Sequence, residues 1–140
     1  MRALPVMLIL FLLTACQERQ AAADPESFVI SVTLQCAQPI VGLHFEYSLD
    51  GTPIGGGSVQ NADGSLAEAG ETYSKDFSSA DFPQDSQWQN FSIEYFVMLP
   101  DGREVSAGEA LHLSPQTGHV YRFALGGCST EGGYTLSALQ

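Results

Sequence analysis

Positive charge is what this sequence lacks most: five Lys and Arg stand against sixteen Asp and Glu, a formal net charge of −11. So acidic a surface is repelled by phosphate backbones and by anionic lipid, which excludes nucleic acid as a partner. The same balance suits a cationic partner, and equally it keeps a protein soluble. No apolar run is long enough to cross a bilayer. The longest, Leu4–Leu13 (LPVMLILFLL), is ten residues, and a hydrocarbon core of about 30 Å needs roughly 20 in a helix. No stretch has a convincing helical period. The glycine clusters lack the Lys and following helix of a phosphate loop, and no Ser sits in a Gly-x-Ser-x-Gly elbow. Asp50-Gly51, Asp63-Gly64 and Asp101-Gly102 lack the alternating ligands and distal Glu of an EF-hand loop and read as hairpin turns. Carboxylates are scattered, with no polar cleft implied around them. The expectation is a non-enzymatic protein without cofactor or metal.

What is present begins with the first residues. Arg2 ahead of an apolar run reads as the start of a secretory signal; a buried core helix would show polar positions along one side, and this run has none. Leu13-Thr14-Ala15-Cys16 follows directly and resembles the lipobox of bacterial lipoproteins. The resemblance implies cleavage before Cys16, a diacylglyceryl thioether on its sulfur and an acylated amino group. Each buried methylene adds about 0.8 kcal/mol, so three chains would anchor the protein stably to a membrane. In such lipoproteins Asp after the cysteine favours inner-membrane retention; Gln17 stands there instead, which points to the outer membrane. The expected organisation is a signal peptide over 1–15, a lipidated cysteine and flexible tether over 16–27, and one domain over 28–140. Removal of 1–15 leaves four basic and sixteen acidic residues, a formal charge of −12.

With Cys16 lipidated, Cys36 and Cys128 remain as an even pair in an oxidising space, which predicts a disulfide. A loop near 100 residues closed this way gains about 4 kcal/mol in the chain-entropy account. Two unrelated buried thiols are the alternative. Neither cysteine has a second Cys or His beside it at a metal-ligand spacing.

From Phe28 onward the apolar period is two. Phe28, Ile30, Val32, Leu34 and Cys36 share one face, as do Leu43, Phe45, Tyr47 and Leu49. Asp50-Gly51 turns the second run into Ile54–Gln60, where Gly55-Gly56-Gly57 marks an edge or a bulge. Thr72–Phe77 reads as a short strand and 78–89 as irregular. Phe91–Leu99 is apolar on one face, and Phe96 and Met98 make its other face apolar too, as in a central or covered strand. Segments 103–113, 121–125 and 134–139 complete seven or eight short strands with turns roughly every 8 to 12 residues. The pattern predicts an antiparallel β-sandwich or a small β-barrel. Leu111, Leu113, Pro115, Thr117 and Tyr121 resemble the corner of fibronectin type III and immunoglobulin-like domains. There a Tyr early in the penultimate strand bonds back to upstream backbone.

Sandwiches bind through end loops or by adding a strand at an edge. The expected function is therefore a non-catalytic envelope module that binds a protein or glycan partner or supports an assembly. Its candidate contacts are Phe82 and Trp88, which otherwise would plug one end of the core. Leu34-Gln35-Cys36 and Thr117-Gly118-His119-Val120-Tyr121 are similar to segments of some periplasmic lysozyme-inhibitor lipoproteins. Their Ser-x-Ser-Gly-x-x-Tyr-like loop enters the active cleft, and Thr117 stands where that loop has its second Ser. This resemblance implies inhibition of a cationic enzyme as the alternative function and adds Thr117, Gly118 and His119 to the candidate contacts. His44 belongs to the polar face of its strand. His112 and His119 flank Ser114–Gly118 and would meet only in some hairpin registers.

Overall fold

A computed structural model describes residues 23–129 and 133–140; the signal segment, Cys16 and the tether up to residue 22 lie outside the described residues. Nine strands follow in order: β1 (Phe28–Leu34), β2 (Gly42–Leu49), β3 (Thr52–Gln60), β4 (Thr72–Phe77), β5 (Phe91–Met98), β6 (Glu104–Ser106), β7 (Leu111–Leu113), β8 (Val120–Ser129) and β9 (Gly133–Ala138). They form two sheets, β4-β1-β8-β9 and β3-β2-β5-β6, with β7 also paired to β5. The sheets do not join edge to edge, so the fold is a β-sandwich and not the barrel also considered.

The inner faces are those read from the alternation. Phe28, Ile30, Val32 and Leu34 of β1 pack with Leu43, Phe45 and Tyr47 of β2 and Phe91, Ile93, Tyr95 and Val97 of β5, all buried in one core. At Asp50-Gly51 both residues have positive φ, 51° and 75°, the two-residue turn that matches strand twist. β3 is a sheet edge, and it also carries a bulge: Tyr47 pairs with Gly55 and Ser48 with Pro53, so Ile54 is the extra residue. The glycine run has a packing cause. A Cβ on Gly55 would collide with the Tyr47 ring, and one on Gly57 would lie 3.2 Å from Phe45 Cζ. The aromatic rings of β2 lean across β3 and fill that space.

Two expectations need correction. The sheets are not wholly antiparallel, because β1 runs parallel to β8, with Val29 opposite Val120 and Leu34 opposite Leu125. The segment 114–119 crosses from one sheet to the other at the end where β1 begins, so β8 starts beside β1 and runs the same way. Alternation reports a strand's faces and never its direction. Segment 103–113 is also two strands, which raises the count to nine. Ala107 turns into the core and Gly108 takes φ 105°, while Ser106 Oγ donates to Gly108 O at 2.9 Å. The chain therefore leaves β5 after pairing with Phe96–Met98 and rejoins it at Phe91–Ile93.

The predicted disulfide is present: Cys36 and Cys128 are bonded, with Cα atoms 5.3 Å apart and a sequence separation of 92. It ties the chain leaving β1 to the far end of β8.

Candidate functional site

The strand directions bring every candidate contact residue to one end of the sandwich. β1, β8 and β5 begin there and β2 and β4 finish there. The chain from residue 23 enters at the same end. Ser27 O accepts from Gly118 N–H at 2.6 Å, and Val29 N–H donates to His119 O at 2.9 Å.

This end is filled by aromatic rings. Phe28 has ring neighbours Phe77 at 5.1 Å, Phe91 at 5.5 Å, Trp88 at 5.6 Å, and Phe82 and Tyr121 at 6.2 Å between centroids. Phe82 is 8% exposed and stacks on Trp88 at 4.7 Å. Both aromatics of loop 78–90 therefore plug the core. Trp88 is half-buried and keeps one margin outside, beside exposed Pro83, Gln84 and Asp85. Together with Ser79 and Ser86 they line a recess of about 470 Å³.

The loop is held at its start by charge. Ser78 N–H donates to Asp81 Oδ2 at 2.9 Å, Ala80 N–H donates to Ser78 Oγ, and Lys75 Nζ reaches Asp81 Oδ1 at 3.0 Å. The strand alternation puts Lys75 on the inner side of β4, where its ammonium also lies 5.1 Å from the Phe77 ring centre. Partial burial pushes the Asp81 carboxyl up. The Ser78 N–H and the Lys75 ammonium more than offset it and hold it below the usual carboxylate range. Burial raises the Tyr47 phenol, whose hydroxyl donates to Asp81 O at 3.5 Å, and the Asp81 charge raises it further.

The corner 114–119 completes the surface. Gln116 N–H donates to Tyr121 Oη at 3.0 Å, so the tyrosine of β8 bonds back to upstream backbone, as its resemblance implied. Gly118 has φ 78°, a conformation that favours glycine, and an added Cβ would meet nothing within 4 Å. Thr117, Gly118 and His119 are exposed. The His119 ring stacks on Tyr121 at 6.3 Å, with its Nδ1 3.1 Å from Thr117 O. His112 is on the sheet opposite: β7 pairs with β5 and β8 with β1, so the corner is not a hairpin. Among the described residues, no group of three or more His, Cys, Asp or Glu is arranged to hold a metal ion.

A second recess, about 500 Å³, opens at the same end and was not anticipated from sequence. Asp50, Gln89, Asn90, His112 and Ser114 line it. Asn90 Nδ2 donates to Asp50 Oδ1 at 2.7 Å and Ser114 Oγ donates to Gln89 O at 2.7 Å. Asp50, Gln89 with Asn90, and Ser114 lie on three separate connections and His112 on β7, and only the pairing of β2 and β7 with β5 brings them together. His44 lies elsewhere, on the outer face of the five-stranded sheet, with Nδ1 3.1 Å from Glu104 Oε2 and its ring 5.6 Å from Phe96. Phe96 and Met98 are half-exposed on that outer face. β5 is central in its sheet, but among the described residues no strand covers this side.

No protein-family model matches this chain. No curated protein matches it either. Among solved structures, it is similar to a chain of a disulfide-locked mutant of intermedilysin with human CD59, at TM-score 0.38 and 9% identity. That likeness covers 81% of this chain and 24% of the other, and at such a score it carries no argument.

Proposed function

We propose that this chain is a lipid-anchored envelope lipoprotein whose sandwich serves as a non-catalytic binding or structural module. The observation that carries the anchor is Leu13-Thr14-Ala15-Cys16 directly behind an apolar run. A disulfide between Cys36 and Cys128 suits a domain exported to an oxidising space. Asp24–Ser27 already forms a turn on the domain, so residues 17–23 would span at most roughly 23–25 Å at full extension, which keeps the domain close to the lipid surface. Because the chain enters at the aromatic end, the contact surface would face the membrane side and the disulfide end would point away. The groups this surface offers are the outer margin of Trp88, the rim at Pro83–Asp85, and Thr117 and His119. The backbone of loop 117–119 is tied to the start of β1, so it presents side chains and does not project as a free finger.

Lipidation is tested by the intact mass of the membrane-extracted chain and by Cys16→Ser. A diacylated, N-acylated Cys16 at the mature start, with release of C16S from membranes, is the expected result; an unmodified or uncleaved chain rejects the anchor. The binding role is tested with a photo-crosslinker at Gln84 and, at the opposite end, at Asp101. A single envelope partner captured from Gln84 and not from Asp101 supports the reading. Capture of nothing from Gln84, or of the same proteins from both positions, rejects this surface.

A further inference from the structure

Three of the four sheet edges carry features that discourage pairing with another strand. β4 has Lys75 and Asp76 in six residues, β9 is short and breaks register with β8 between Gly126 and Ser129, and β6 and β7 have three residues each. β3 differs. It is nine residues long, none of them charged, and among the described residues its hydrogen-bonded neighbour is β2 alone. Thr52, Pro53, Gly55, Gly56, Ser58 and Gln60 are exposed. Pro53 and the bulge at Ile54 blunt its first third, which leaves Gly55–Gln60 as regular strand with unpaired backbone groups along its outer side.

We propose that this edge pairs with the β3 of a second copy, antiparallel about Gly57, and joins two five-stranded sheets into one continuous sheet. Charge permits this occupant, because none of the nine residues of β3 is charged. On the paired strand the acid opposite the glycine run is Glu46, which pairs with Gly56. In the dimer the two β2 strands stand three strand spacings apart, about 14 Å. That is beyond the screening length of about 8 Å in physiological salt, so two chains of like net charge can meet there. Shape favours it. A two-fold axis at Gly57 sets Gly56 against Ser58 and Gly55 against Val59, pairs without bulky side chains to collide. Both strands are already ordered by β2, whereas a free peptide would first lose its backbone entropy. The pairing needs neither the lipid nor an envelope partner, so its failure leaves the proposed function untouched.

The test uses the chain from Gln17, which contains all nine strands and the whole core. Sedimentation equilibrium up to about 1 mM covers weak edge pairing. The expected result is a monomer–dimer equilibrium, with amides of 55–59 gaining hydrogen-exchange protection as concentration rises. Ser58→Lys sets two cations near the axis and raises the dissociation constant at least about tenfold. Ser137→Lys on β9 leaves it unchanged. Gln60→Lys serves as the second edge variant should Ser58→Lys lose its native near-ultraviolet spectrum. A monomer at every concentration overturns the proposal. So does a dimer indifferent to the edge lysines, or concentration-dependent protection confined to β4 or β9.

Discussion

The two ends of this sandwich are closed by different means. The end where the chain enters is packed with rings: Phe28, Phe77, Phe82, Trp88, Phe91 and Tyr121 crowd around one another without a covalent tie. The opposite end is mainly aliphatic, with Leu34, Ile40, Leu43, Val97, Leu99 and Leu125 buried there beside one ring, Tyr134, and it carries the Cys36–Cys128 bond. The aromatic end rests on burial and on ring packing worth about 0.5–1.5 kcal/mol per pair beyond area. It has no restraint that survives unfolding. The disulfide end contributes mainly by restricting the unfolded chain. A surface that must open, adapt or exchange contacts belongs at the first end, and a fixed hinge at the second.

The sharpest way to break the comparison is Phe28→Ala. Phe28 is fully buried among five rings, and its removal should cost about 3–5 kcal/mol in chemical unfolding. Hydrogen exchange should quicken first in loop 78–90 and corner 114–119, with the disulfide end still protected. Uniform loss of protection would show that the two ends unfold as one unit. Replacing both cysteines, Cys36→Ala with Cys128→Ala, should cost about 4 kcal/mol for a loop spanning 92 residues. Cys36 is buried beneath β8, so part of that loss would be packing. The free energy should drop with less local change at the aromatic end.

Trp88→Ala separates plug from contact. Half-buried and stacked on Phe82, it should lose about 2–3 kcal/mol. A loss under about 0.5 kcal/mol together with lost capture at Gln84 would mean that Trp88 faces a partner and barely supports the core.

Much of this division could be read from residues before any coordinate. The alternation at 28–36, 43–49 and 91–99 gives the inner faces, Asp50-Gly51 gives a hairpin, and the cysteine pair gives the staple. The place of Tyr121 followed from a corner resemblance. Loop 78–90 left two readings open, contact or plug, because Phe82 and Trp88 sit among polar residues without a period, and only the folded end shows that both turn inward. The direction of β8 beside β1, and the polar recess at Asp50, Asn90 and His112, depend on which strands pair, which no local pattern encodes. Segment 103–113 reads as one strand because a glycine inside a strand pattern, here Gly108, signals a bulge as readily as a gap.

The smallest effect concerns how the aromatic end is latched. Asp81 accepts from Ser78 N–H and from Lys75, and its carboxyl titrates below the ordinary range in the folded chain. A carboxylate depressed on folding stabilises fully above its unfolded value of about 3.9 and loses that contribution as pH falls through the folded value. Unfolding free energy should therefore decline on acidification below about pH 4. Asp63 and Asp101, also lowered by hydrogen bonds from Ser65 and Arg103, would add to the slope. Asp81→Asn isolates the latch: relative to the parent it should lose about 1 kcal/mol at neutral pH and converge with it in acid. Parallel pH curves for the two proteins would mean that the latch holds by shape and hydrogen bonding alone. Its charge would then contribute nothing, and the aromatic end would rely wholly on packing.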